Sequence, residues 1–165
     1  MNLKIREKCK IIKLVITDVD GVLTDGGLYY TKDGDIMKKF FVRDGMGISL
    51  LRKVNIPTII LTKEKTPMVR KWAKNMKVNA IFDGIIEKEK MLDKICNKFG
   101  VIPDEIAYIG DDVNDINLLK IVGFSAAPSN AINEVKKICD YVCVTNGGKG
   151  VFREIADTIL SVKKK

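Results

Sequence analysis

Short apolar runs recur along the chain, each followed by a polar or glycine-bearing link and then by a stretch with apolar residues at helical spacing. The stretch around which the rest is organised is Ile11–Thr24, IIKLVITDVDGVLT. Its first half is rich in Val and Ile and unbroken by alternation, the pattern of a strand buried on both faces. Thr58–Thr62 (TIILT), Ala80–Phe82, Ile106–Ile109, Ser125–Ala127 and Tyr141–Val144 read as further short strands. Between them, helical spacing marks Met46–Val54, Pro67 to Met76, Lys88–Phe99, the segment running to Val122, Ala131–Ile138 and Val151–Val162. Pro67 suits a first helical turn and Gly100 suits a stop. Residues 1–10 form an amphipathic lead-in. Strands alternating with helices through short links predict an α/β fold, a doubly wound and mostly parallel sheet.

One segment breaks the alternation. Leu28–Thr31 and Ile36–Val42 are rich in aromatic and β-branched residues and flank Lys32–Asp35, whose Asp33-Gly34 step is a strong hairpin signal. A small β-hairpin flap over about residues 26–42 is expected. Tyr29, Tyr30, Phe40 and Phe41 would leave it apolar, which suits an oligomer contact or a lid. The plainer alternative is that half of them pack down on the parent domain.

Composition narrows the function classes. A chain of 165 residues suits one domain with a proper core, here residues 1–165. The net charge of +8 comes from dispersed Lys and Arg, with no basic run beyond Lys163–Lys165. That describes a solvated surface and predicts no nucleic-acid partner. No apolar run approaches a membrane span, and MNLKIREKCK lacks a signal-peptide core, so no membrane partner and a cytoplasmic location are expected. Four cysteines without a single histidine make zinc improbable and read as reduced, mostly buried thiols. Without histidine, acid–base work falls to carboxylates or Lys.

The chemistry sits at strand ends. Asp18 and Asp20 follow the first strand, Thr62 ends the second, and Asp111, Asp112 and Asp115 follow a later one. Paired carboxylates just past a buried strand repel and need a cation or donors to stay ionised. Ligands of open α/β sheets bind at this end of the strands. One Asp of the later trio would serve as a helix N-cap, but three exceed what a cap needs. An open oxygen-rich cluster favours Mg²⁺. With the metal bound, one carboxylate can attack phosphorus while Thr62 and a Lys hold the phosphate oxygens.

Those residues resemble the motifs of the haloacid dehalogenase superfamily of phosphatases. Asp18-Val-Asp20-Gly21-Val-Leu-Thr24 is similar to its first motif. The resemblance implies that Asp18 is the nucleophile that becomes an aspartyl-phosphate, and that Asp20 is the general acid, then the base that activates water. Thr62 matches the second motif, Lys88 the third with Lys90 as the fallback, and Gly110-Asp111-Asp112-Val-Asn-Asp115 the fourth. The resemblance implies Mg²⁺ at Asp18, Asp20 and Asp111, with Asp112 and Asp115 acting through water or by orienting neighbours. The hairpin with VRDG and the late GGKGVFREIAD resemble the subgroup that removes phosphate from 2-keto-3-deoxy sugar acids. Its members act on 3-deoxy-D-manno-octulosonate 8-phosphate (KDO 8-phosphate) or on nonulosonate 9-phosphates of the sialic acid and KDN type. The resemblance implies a homotetramer in which neighbouring hairpins close each site in place of a cap domain. It makes Arg43 and Lys149 candidates for binding the sugar acid. Thr62-Lys63-Glu64-Lys65-Thr66 stands where many KDO 8-phosphate phosphatases read Ser/Thr-Gly-Arg. That pattern is closer to the nonulosonate members, and makes Glu64 a candidate for sugar hydroxyls. It tilts the expected substrate slightly toward a nonulosonate 9-phosphate over KDO 8-phosphate. A broad-specificity phosphatase is the closest enzymatic rival, because fold does not fix substrate, and two other classes compete. A receiver-type phosphoacceptor would place its acid pair and its phosphorylated Asp on different strands. A non-catalytic oligomerisation module, as attached to some sialic-acid cytidylyltransferases, would not need these residues.

Overall fold

The computed structural model describes residues 2–163. The strands are β1 (Leu14–Thr17), β2 (Tyr29–Thr31), β3 (Gly34–Met37), β4 (Thr58–Leu61), β5 (Ala80–Phe82), β6 (Ile106–Ile109), β7 (Phe124–Ala127) and β8 (Tyr141–Val142). The helices are α1 (Leu3–Ile11), α2 (Val42–Lys53), α3 (Pro67–Met76), α4 (Leu92–Phe99), α5 (Ile116–Leu119), α6 (Asn133–Ile138) and α7 (Val151–Lys163). A 3₁₀ turn, Lys88–Met91, leads into α4. Six strands form one sheet in the order β5-β4-β1-β6-β7-β8, every neighbour parallel, and β2 and β3 form a separate antiparallel hairpin. The chain starts mid-sheet, builds outward to β5, then returns beside β1 and builds outward to β8. This reversal sets the carboxyl ends of β1 and β6 side by side, at the switch point where such sheets bind ligands.

Side chains alternate across the strands with period two. Val15, Ile60, Ile109 and Ala126 face one layer, with Cys9, Ile48, Leu51, Phe152 and Ile155 from α1, α2 and α7. Leu14, Ile16, Ile59, Leu61 and Tyr108 face the other, with Ile95, Leu118 and Val135 from α4, α5 and α6. Burial on both faces is why the strands read as unbroken apolar runs. All four cysteines are free thiols, Cys9 and Cys143 buried. Burial pushes the Cys9 and Cys139 thiols up to about 12.

Several boundaries move. The apolar run before Asp18 is divided: Ile11 closes α1 and only Leu14–Thr17 is strand. The second hairpin strand stops at Met37, and Val42 opens α2 instead of ending a strand. Helix α2 therefore starts four residues before the expected Met46. Gly45 and Gly47 depress helix propensity there, and packing overrides it. A Cβ on Gly45 would lie 2.3 Å from the sulfur of Met76, and one on Gly47 3.2 Å from the Arg153 Cα of α7. Of the four hairpin aromatics, Tyr29 and Tyr30 are exposed, while Phe40 stacks on Trp72 with centroids 4.5 Å apart and Phe41 lies against Gly150.

Asp44 joins α2 to α7. It is fully buried, and its Oδ1 accepts the Arg153 N–H at 2.9 Å in the first turn of α7, while Oδ2 has no hydrogen-bond partner. Burial pushes this carboxyl up to about 6, against the pull of the Arg153 and Phe152 amides. A carboxyl raised on folding contributes stability that is full below its unfolded value near 3.8 and is lost as pH rises through about 6. The stability difference between wild type and Asp44→Asn should therefore change by about 3 kcal/mol between pH 3.5 and pH 7, favouring the variant at the higher pH. Urea unfolding at the two pH values measures it. A pH-independent difference would mean that Asp44 titrates normally.

Candidate active site

Asp18 follows β1 directly, and its N–H donates to the Ile109 carbonyl at 3.0 Å, so the β1–β6 ladder runs on into the site. Its Oδ1 accepts the Val19 N–H at 2.7 Å and its Oδ2 lies 2.8 Å from Lys88 Nζ. Gly21 then turns the chain at φ +81°, a region that strains any L side chain. A Cβ there would also lie 1.9 Å from Asp111 Oδ2. The late glycine loop supports this turn: a Cβ on Gly147 would lie 1.8 Å from the Gly21 carbonyl oxygen, and the Gly148 N–H donates to the Val22 carbonyl at 2.8 Å. Those glycines buttress the acidic turn through its backbone.

From β6 the chain enters the second acidic loop. Asp115 is fully buried and satisfied on both oxygens. Its Oδ1 accepts from Lys88 Nζ at 2.6 Å and from the Tyr108 hydroxyl at 2.5 Å. Its Oδ2 accepts the Asp111 and Asp112 N–H groups at 2.8 and 3.2 Å. Asp115 thus holds the loop and Lys88 in place. Lys88, fully buried, bridges Asp18 and Asp115; Lys90 is exposed and pairs with Glu87. The geometry therefore separates the two lysines that the sequence left open.

Burial first, with Asp115 adding to it, pushes the Asp18 carboxyl above its usual range against the opposing pull of Lys88. Asp111 is pushed up to about 8 by burial, then by Asp18, Asp115 and Asp112. Burial alone would lower the Lys88 ammonium, but Asp18 and Asp115 outweigh it and hold it above its ordinary value. One carboxylate oxygen each from Asp18, Asp111 and Asp115 lies within 4.8 Å of the others. A crowded all-oxygen set of this kind fits a hard divalent cation, which would relieve the repulsion that raises these carboxyls. With Asp115 engaged by four donors, Asp18 and Asp111 are the carboxylates with capacity for it.

Asp20, also expected among the ligands, lines the same cleft as Asp18 and Asp111 outside that group of three, and its side chain has further partners. Its Oδ1 accepts from Lys38 Nζ at 2.6 Å and from Thr24 Oγ1 at 3.3 Å. Lys38 comes from the end of the hairpin and also pairs with Glu64 at 2.7 Å; its side chain is 1% exposed. Burial alone would lower the Lys38 ammonium, but hydrogen bonds to Asp20 and Glu64 hold it above its ordinary value. Asp18, Asp20, Thr62, Glu64, Asp111 and Asp112 line one cleft, with Lys63 and Asn114. Arg43 and Lys149 do not reach it. They line a neighbouring cleft along α7 with Tyr141, Thr145 and Arg153, and the Arg43 guanidinium lies 5.9 Å from the Phe41 ring centre. Sequence reasoning missed Lys38 and Tyr108. A lysine beside a second lysine reads as solvated surface, and a tyrosine inside an apolar run reads as core.

A doubly wound sheet whose switch point gathers carboxylates, a buried lysine and a threonine defines a phosphate-handling hydrolase of the carboxylate type. The haloacid dehalogenase-like hydrolase family matches residues 53–155. The chain belongs to that family. It is 41% identical, over 97% of its own length and 89% of the relative's, to a 3-deoxy-D-manno-octulosonate 8-phosphate phosphatase from Haemophilus influenzae. A solved cobalt-bound deoxy-D-mannose-octulosonate 8-phosphate phosphatase from that organism superposes with TM-score 0.93 at 41% identity, covering 96% of this chain and 92% of that one. The Moraxella catarrhalis 3-deoxy-D-manno-octulosonate 8-phosphate phosphatase, solved with magnesium ion, phosphate ion and a KDO molecule, gives TM-score 0.93 at 34% identity, covering 96% and 91%. Within the family the chain falls in the subgroup that these relatives represent. No helix of the described residues is long and apolar enough to cross a membrane.

Proposed function

We propose that the protein is a Mg²⁺-dependent phosphomonoesterase that removes the terminal phosphate of KDO 8-phosphate. The observation that carries the chemistry is the buried Asp18–Lys88–Asp115 arrangement beside Asp111, at the switch point of the sheet. The likeness to octulosonate-phosphate phosphatases of two organisms across nearly the whole chain supports the sugar. It favours KDO 8-phosphate over the nonulosonate 9-phosphate that the Glu64 pattern suggests. Glu64 itself is paired with Lys38, which accounts for an acid at that place without a sugar hydroxyl.

In this reading Asp18 attacks phosphorus. The Asp18–phosphorus bond forms, the bond from phosphorus to the sugar oxygen breaks, and Asp20 passes its proton to that oxygen. Asp20 then takes a proton from the water that hydrolyses the aspartyl-phosphate. Lys88 and Thr62 hold the phosphoryl oxygens. Mg²⁺ held by Asp18 and Asp111 would supply the charge neutralisation that lets a carboxylate approach a phosphate. The chain acts as one catalytic domain in the cytoplasm, with the hairpin as its flap. The exposed Leu28, Tyr30, Ile36 and Met37 of that hairpin support a homotetramer. Arg43 and Lys149, lying off the cleft, would meet substrate only through such an assembly.

Phosphate release from KDO 8-phosphate, KDN 9-phosphate, N-acetylneuraminate 9-phosphate and an aryl phosphate, with Mg²⁺ and with EDTA, tests the reading. Mg²⁺-dependent preference for KDO 8-phosphate is expected. Preference for a nine-carbon acid would overturn the substrate, and release from the aryl phosphate alone would overturn the sugar-acid class. No release from any of the four would overturn the phosphatase reading itself.

A further inference from the structure

Lys38 has no part in the chemistry above, yet it is the only described lysine besides Lys88 whose side chain is both nearly sealed from solvent and paired with two carboxylates. It belongs to the hairpin, whereas its partners belong to the sheet: Asp20 lies just past β1 and Glu64 just past β4. One ammonium therefore fastens the flap to both sides of the cleft. On the Asp20 carboxylate the Lys38 ammonium falls on Oδ1 at 2.6 Å, and the single proton of Thr24 Oγ1 is shared between that same oxygen and the Val19 carbonyl. A carboxyl whose Oδ1 accepts from an ammonium carries its proton on Oδ2, and that contact orients the group. A freely rotating carboxyl would present either oxygen, with the proton turned away from the leaving oxygen for part of the time. Positioning of this kind is a large part of what general acids need.

We propose that Lys38 is a positioning residue for Asp20: from the flap it pins Oδ1 of Asp20, with Glu64 as its second anchor, and so commits Oδ2 to the sugar's leaving oxygen. The proposal deepens the phosphatase reading and rests on it. It assigns the Lys38–Glu64 pair to acid catalysis rather than to sugar recognition. The same ammonium that anchors the flap also places the acid.

Leaving groups separate this role from a merely structural one. An alkoxide leaving from a sugar phosphate needs its proton, whereas p-nitrophenolate departs without one. kcat/KM covers only the steps through departure of the leaving group, so later hydrolysis of the aspartyl-phosphate does not enter it. Lys38→Met keeps the aliphatic stem and removes the charge. It should lower kcat/KM for KDO 8-phosphate by about 10²-fold, within the range of general acid catalysis. The loss for p-nitrophenyl phosphate should be at least about tenfold smaller. Asp20→Asn should show the same split, Lys38→Arg should recover part of the loss, and Glu64→Gln should produce a smaller split in the same direction. Equal losses on both substrates would overturn the proposal in favour of a structural strut, and so would a split for Asp20→Asn without one for Lys38→Met. Wild-type protein inactive on both substrates with Mg²⁺ would overturn the underlying phosphatase reading, and this proposal with it.

Discussion

Asp18→Asn should abolish Mg²⁺-dependent phosphate release, by at least about 10⁴-fold, while the folded structure persists. An amide oxygen is too poor a nucleophile to displace the sugar oxygen, and the neighbouring carboxylates have other tasks: Asp111 is assigned to the metal in the proposed mechanism. Asp115 is engaged by four donors, and Asp20 is held by Lys38 and Thr24. The fold should tolerate the change because Asn keeps an acceptor for the Val19 N–H, the bond that Asp18 Oδ1 makes at 2.7 Å. The substitution also removes a carboxylate that burial disfavours. Steady-state phosphate release together with thermal unfolding checks both halves. Retained turnover would place the nucleophile elsewhere. Loss of turnover together with loss of the unfolding transition would show that the residue is needed for folding, and the assignment would then have no support from this variant.

Lys88→Met should remove a phosphoryl-holding ammonium and also lower stability by about 3–5 kcal/mol, the usual cost of removing one partner from a buried ion cluster. Lys88 is fully buried, and its ammonium lies 2.8 Å from Asp18 and 2.6 Å from Asp115. Methionine fills the space but leaves two facing carboxylates without a compensating positive charge. Mg²⁺ should restore part of the loss, because a cation bound to Asp18 and Asp111 answers the same repulsion. Denaturant unfolding with and without Mg²⁺ measures it. A variant as stable as wild type in EDTA would show that Asp115 and its amide donors suffice without the ammonium.

Much of this was legible in the chain. Strands buried on both faces announce themselves as unbroken apolar runs, as β1, β4 and β6 do, and their alternation with helical stretches through short links marked the sheet as parallel. Asp18, Thr62 and Asp111 were found because each ends such a run, where a polar residue has no packing reason to stand. The rest was hidden for physical reasons. The start of α2 was missed because Gly45 and Gly47 serve close packing against Met76 and α7, which local propensity cannot register. Lys38 was missed because its partners, Asp20 and Glu64, are brought to it only by the folded flap. Arg43 and Lys149 were grouped with the site by resemblance, yet the fold puts them in the cleft along α7. The pairing of Glu64 with Lys38 was hidden in the sequence because only the folded flap brings the two together.

The strand order has a kinetic consequence. The strand that delivers Asp18 is first in the chain, yet it pairs with β4 near residue 58 and with β6 near residue 107, never with the next strand in sequence. Contacts this distant require large loops to close before any ladder bond forms, and such pairings are slow and late. The two acidic loops therefore meet only when the centre of the sheet is complete. A chain still emerging from the ribosome cannot assemble this site until residues beyond Asp115 are available. Activity regained during refolding should thus appear with the final cooperative step rather than with the first helical signal.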